Sequence, residues 1–162
     1  MTTHHSSAHA QGASSEKGFH RIIVPTDFGD GTSHAVDAAV VLARQLDAEI
    51  VLLHVFHVTP VAYAPGMFIP HDELRNGAQK ALGLAVSRLK ERHAKITGEV
   101  VEGEPWQEIL AAADRCQADL IVMGTSARQG LPRFFFGSVA EKVLRLSTVP
   151  VMVLSPQATA PA

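Results

Sequence analysis

The apolar positions of this chain change period along its length, and the changes mark out alternating strands and helices. Arg21-Ile22-Ile23-Val24-Pro25-Thr26 is a short β-branched run stopped by Pro25 and followed by the glycine-rich turn Gly29-Asp30-Gly31, the pattern of a buried strand. Val36, Ala39, Val40, Ala43 and Leu46 then recur at spacings of three and four, which predicts a helix, with Thr32 or Ser33 placed to cap its free amides and His34 on its early turns. Glu49 to Val55 (EIVLLHV) is nearly continuous in apolar residues and fits a second strand covered on both faces. Thr59 to Pro70 holds Pro60, Pro65, Gly66 and Pro70, so it predicts a surface loop of the kind that can act as a lid.

The second half repeats the alternation. Leu74, Ala78, Ala81, Leu82, Ala85 and Leu89 form the apolar stripe of a long helix whose other side carries Lys80, Arg88, Lys90 and Glu91. Ile96 to Glu102 predicts a third, more polar strand suited to a sheet edge. Pro105 fits the first turn of another helix, with Trp106, Ile109, Leu110 and Ala113 on its core side. Asp119 to Met123 predicts a fourth strand, a helix runs from about Ser138 to Leu146, and Val149 to Leu154 predicts a fifth strand. Strands alternating with helices imply right-handed crossovers and a parallel sheet between helical layers, an α/β fold. Such sheets bind ligands beyond their strand C-termini where the strand order reverses, which directs attention to the loops after strands one and four.

Composition narrows the class. The chain has 162 residues, 46% hydrophobic, 19% charged and 6% aromatic, enough for one substantial core. A formal charge of −2 argues against a protein that grips the nucleic-acid backbone through excess positive charge. No apolar run approaches the roughly 18 residues of a membrane span, so no membrane partner is expected. Residues 1–18 have no large apolar side chain after Met1 and no apolar middle of the kind secretion requires; they are expected to be a disordered tail, and His4, His5 and His9 solvated side chains rather than metal ligands. The folded domain is expected over 19–155, with a flexible tail over 156–162. A single cysteine, Cys116, leaves the fold to packing and points to a reducing compartment, the cytoplasm.

Candidate chemistry gathers at the two predicted loops. After strand four, glycines stand at 124, 130 and 137, and Gly137-Ser138 opens the last helix. A helix start offers unpaired N–H groups and partial positive charge, glycines let backbone approach phosphate oxygens, and the Ser138 hydroxyl adds a donor. Neither a Walker A pattern nor a dinucleotide fingerprint is present. Asp27, directly after strand one, can accept from a ribose hydroxyl or an adenine amino group. No paired carboxylates, Ser-His-Asp order or metal-ligand spacing stands out. His54 lies in an apolar strand and reads as a hydrogen-bonded core residue, Cys116 as a packing residue, and Phe134-Phe135-Phe136 as a segment packed onto the domain.

From Phe19 to Ser155 the chain resembles the universal stress protein family, through Ile23-Val24-Pro25-Thr26-Asp27-Phe28, Leu52-Leu53-His54-Val55, Asp119-Leu120-Ile121-Val122-Met123-Gly124-Thr125, Gly137-Ser138-Val139-Ala140-Glu141-Lys142-Val143-Leu144 and Val149-Pro150-Val151-Met152-Val153. The resemblance implies a single open parallel five-stranded sheet in the order 3-2-1-4-5, Rossmann-like and akin to the adenine nucleotide alpha hydrolases, a homodimer through the Val149–Leu154 strand, and in one branch ATP. That branch carries Gly-x2-Gly-x9-Gly-Ser/Thr. Gly124, Gly137 and Ser138 match it, and Ala127 stands at the second glycine. A left-handed backbone there would cost alanine roughly 1–2 kcal/mol, up to about tenfold in affinity.

Carried over residue by residue, the resemblance implies that Asp27 faces the ribose or adenine and that Pro25, Thr26 and Val55 line the base pocket. Met123 would cover the base, and Gly124, Ala127, Arg128, Gly137, Ser138 and Val139 would surround the phosphates. The resulting expectation is a cytoplasmic stress-response protein that binds ATP, with or without Mg2+, or a related adenine nucleotide, and signals by its bound state with at most slow ATPase turnover. The alternative is a nucleotide-free dimeric adaptor of the same fold.

Overall fold

The computed structural model describes residues 18–57, 70–125 and 137–155. Nine elements alternate: β1 (Arg21–Pro25), α1 (Asp30–Leu46), β2 (Glu49–Phe56), α2 (His71–Lys90), β3 (Ile96–Glu102), α3 (Pro105–Arg115), β4 (Leu120–Gly124), α4 (Ser138–Leu146) and β5 (Val151–Leu154). The predicted tails apart from Gly18, the Thr59–Pro70 loop apart from Pro70, the Phe134–Phe136 run, and Ala127 and Arg128 lie outside the described residues.

The strands form one parallel sheet, as the alternation predicts, in the order β3-β2-β1-β4-β5 that the resemblance implies. β1 sits at its centre, and period-two geometry sends its neighbours to opposite layers. Ile22 and Val24 pack with Leu52, Val40, Ala43 and Leu82 on the α1/α2 side. Ile23 packs with Leu53, Ile121, Met123, Ile109 and Val143 on the α3/α4 side. Both faces are covered, which is why β1, β2 and β4 read as nearly continuous apolar runs. β3, the polar strand, lies at one edge, where Thr97 and Gly98 are exposed.

Two local expectations are corrected. Thr32 and Ser33 do not cap α1. Phe28 turns the chain with a left-handed backbone (φ 62°), and the helix opens at Asp30 behind Gly29, so both hydroxyls fall inside the first turn. There Thr32 lies within donating distance of Asp27 Oδ1 (2.9 Å) and the Gly29 carbonyl (3.0 Å), and Ser33 donates to the Asp30 carbonyl (2.8 Å). The fifth strand starts at Val151 rather than Val149. Pro150 has no N–H to give, and the Ser147 hydroxyl holds Val149 in a turn, donating to its carbonyl at 2.7 Å and accepting its N–H at 3.2 Å. Among the described residues no helix is long and apolar enough to cross a membrane.

Candidate functional site

A cavity of about 280 Å3 opens at the C-terminal ends of β1 and β4 on the α3/α4 side of the sheet, where the strand order reverses. Its walls bring together Pro25, Thr26, Asp27, Val55, Met123, Gly124, Gly137, Ser138 and Val139, the described members of the set marked from sequence. The remaining two, Ala127 and Arg128, lie outside the described residues.

Asp27 is exposed at the rim, and its carboxylate is half occupied. Oδ1 faces the Gly29 N–H and the Thr32 hydroxyl, both at 2.9 Å. Among the described residues nothing donates to Oδ2. Behind it, the Thr26 carbonyl meets Nδ1 of His54 at 2.8 Å. A carbonyl only accepts, so Nδ1 carries the proton there. The His54 ring also lies against Phe28, with centroids 4.4 Å apart. His54 is half-buried and bonded, the packing role expected of it, and it fixes the point at which β1 becomes the Asp27 turn.

Val55 lies two residues beyond the last β1–β2 pair, Pro25↔Leu53. In a parallel strand a residue directs its N–H and C=O to the same side, and the side alternates along the chain. Leu53 accepts the Thr26 N–H at 2.8 Å, so Val55, in phase with it, presents both backbone groups where β1 has already turned away. A donor and an acceptor side by side match the edge of an adenine ring, which offers N1 as acceptor and the amino group as donor.

The first turn of α4 supplies the opposite wall. Gly137 is its N-cap, no side chain caps it, and the intrahelical ladder begins only with the Glu141 N–H on the Gly137 carbonyl (3.0 Å). Among the described residues nothing accepts from the earlier amides, which stand at the positive end of the helix where an anion is favoured. The two glycines here differ in cause. Among the described residues nothing lies within 4 Å of a Cβ placed on Gly137, whereas one on Gly124 would stand 2.2 Å from the Gly31 carbonyl oxygen. Gly124 is therefore required by the close approach of α1 to the end of β4, a packing reason that the phosphate reading missed.

Asp27 is the sole ionisable side chain among the described lining residues, and among them the α4 terminus is the source of partial positive charge. One turn beyond Ser138, Lys142 rests its ammonium 5.1 Å above the ring of Trp106, which lies next to the lining residue Pro105. Five lining residues escaped the sequence reading as site residues: Thr32, Leu53, Pro105, Ile109 and Ala140. Leu53 was reachable by period two, since it shares the face of Val55. Pro105 and Ile109 lie one turn apart on α3, but only the tertiary placement of that helix turns a core stripe into a cavity wall.

The profile described as the Universal stress protein family matches residues 18–155. Universal stress protein MJ0531 of Methanocaldococcus jannaschii is 35% identical over 139 residues, covering 84% of this chain and 82% of that protein. Universal stress protein YxiE of Bacillus subtilis is 36% identical over 148 residues, covering 84% and 99%. Among solved structures, a protein of the family from Burkholderia pseudomallei is 30% identical with a TM-score of 0.67, over 84% of this chain and 96% of that one. A universal stress protein in complex with cAMP is 25% identical, TM-score 0.65, over 86% and 98%. One from Archaeoglobus fulgidus in complex with dAMP is 25% identical, TM-score 0.63, over 83% and 97%.

Proposed function

The chain belongs to the universal stress protein family, and from that premise we propose that it binds an adenine nucleotide, ATP with or without Mg2+ in its fullest form, in the cavity beside β1 and β4. One observation carries the reading: three recognition groups without a partner among the described residues face a single cavity. The Val55 backbone suits the adenine edge, the Asp27 Oδ2 suits a sugar hydroxyl, and the α4 amides suit phosphate. That no described residue crowds a Cβ at Gly137 fits the same assignment. The solved relatives in complex with cAMP and dAMP support it as well. Each of those nucleotides keeps one free sugar hydroxyl, the 2′ in cAMP and the 3′ in dAMP.

Binding, rather than turnover, is the proposed activity. Phosphoryl transfer needs a held metal and a group that orients the nucleophile, whereas the described lining provides one carboxylate already engaged through Oδ1. The bound state is then what partners read, with at most slow ATPase turnover. We also propose a homodimer through β5. That strand ends the sheet, Met152 is exposed, and two-fold pairing would satisfy its outer backbone groups.

The second reading, a nucleotide-free dimeric adaptor, draws on Ala127 at the second motif glycine. Mass spectrometry of small molecules released on denaturing the purified protein decides between the two. Nucleotide binding predicts that an adenine nucleotide is released, or is taken up when the protein is dialysed against ATP. Protein that does neither, but gains ATP binding in the Ala127→Gly variant, is the adaptor.

A further inference from the structure

We infer that Thr32 is a positioning residue of the nucleotide site: it holds the Asp27 carboxylate so that the free oxygen reads a sugar hydroxyl, making the site selective for nucleotides that carry one. The inference rests on the adenine-nucleotide reading above and deepens it. Thr32 is only 7% exposed although it carries a hydroxyl, and it lines the cavity from the first turn of α1.

The hydroxyl has three oxygen neighbours: Asp27 Oδ1 at 2.9 Å, the Gly29 carbonyl at 3.0 Å and Thr26 Oγ1 at 3.3 Å. It owns one proton. The carboxylate is the strongest acceptor of the three, so the proton goes to Oδ1. Thr26 can then donate to Thr32 Oγ1 while its own oxygen accepts the Phe28 N–H at 3.0 Å. The result is a chain from the Phe28 amide through two threonine hydroxyls to the carboxylate, joined there by the Gly29 N–H at 2.9 Å. Two donors on Oδ1 fix the carboxylate plane, and among the described residues Oδ2 is left as the open acceptor at the rim.

Ligand chemistry follows from what an ionised carboxylate can do. It accepts and never donates, so Oδ2 needs an O–H or N–H from the nucleotide. The Val55 backbone already provides the donor and acceptor that the adenine edge requires, which leaves the sugar as the partner of Asp27. Threonine at 32 thus acts on the sugar contact through Asp27.

Calorimetry on the full chain with ATP and with 2′,3′-dideoxy-ATP, comparing wild type with Thr32→Val and Thr32→Ser, tests the inference. Wild type is expected to favour ATP by about tenfold or more, the worth of one hydrogen bond to a charged group. Thr32→Val is expected to cut that ratio below about threefold by weakening ATP alone. Thr32→Ser, which keeps the hydroxyl, restores it. Should Thr32→Val melt below the assay temperature, Thr32→Ala carries the same readout without a second methyl group. A wild-type ratio near one overturns the inference, as does a variant that keeps the wild-type ratio or weakens both nucleotides equally. Wild type that binds neither nucleotide overturns the underlying adenine-nucleotide reading instead.

Discussion

At the scale of single residues, the two motif glycines separate structure from binding. Gly124→Ala would drive a methyl group into the Gly31 carbonyl, and overpacking of that kind costs about 1–3 kcal/mol. Gly137→Ala meets no described residue within 4 Å and has a φ of −59°, which alanine adopts freely, so its stability should change by about 0.5 kcal/mol, the scale of an N-cap substitution. Melting temperatures should therefore fall for Gly124→Ala and barely move for Gly137→Ala, while nucleotide affinity falls for Gly137→Ala. Cys116 offers an independent check. It is half-buried, and burial pushes its thiol pKa up, so the nucleophilic thiolate is scarcer in the fold. Alkylation at pH 8 should be slower in the native protein than in the urea-unfolded chain; equal rates would contradict that environment. Asp27 was legible from its place after the first strand. That one of its oxygens is tied down by Thr32 was not, because the spacing of 27 and 32 reads equally as a helix cap.

Among the elements, periodicity was enough to find each strand and helix and to place polar β3 at an edge. It failed where a local hydrogen bond overrides pattern. Ser147 delays β5, and the left-handed Phe28 starts α1 early. α3 carries a second lesson. Ile109 is 2% exposed and belongs to the core, yet it also walls the cavity, so one apolar stripe serves both packing and ligand. Ile109→Ala should cost about 2–5 kcal/mol, read from denaturant unfolding, and should weaken nucleotide binding in whatever fraction stays folded. β5 is the element on which the proposed dimer depends. Met152→Lys places a charge on its exposed side and should give a monomeric mass by light scattering with little loss of melting temperature. A dimer that persists would move the interface elsewhere.

For the molecule as a whole, the strand order puts the cavity at the reversal between β1 and β4, a consequence of topology that the alternation of elements already announced. Net charge says less than it first suggests. A chain at −2 is poorly suited to a polyanion surface, but one nucleotide needs only helix-terminal amides, a strand edge and one carboxylate. Composition does not register such groups, since two of the three are backbone. The central claim is that these three groups together hold an adenine nucleotide, and isothermal titration of the purified chain with ATP, ADP and AMP, with and without Mg2+, and with GTP as the control, tests it most directly. The account predicts saturable binding of at least one adenine nucleotide below millimolar concentration and weaker binding of GTP, whose ring edge reverses the donor and acceptor that Val55 would meet. Absence of binding by every adenine nucleotide, or equal binding of GTP, would contradict it.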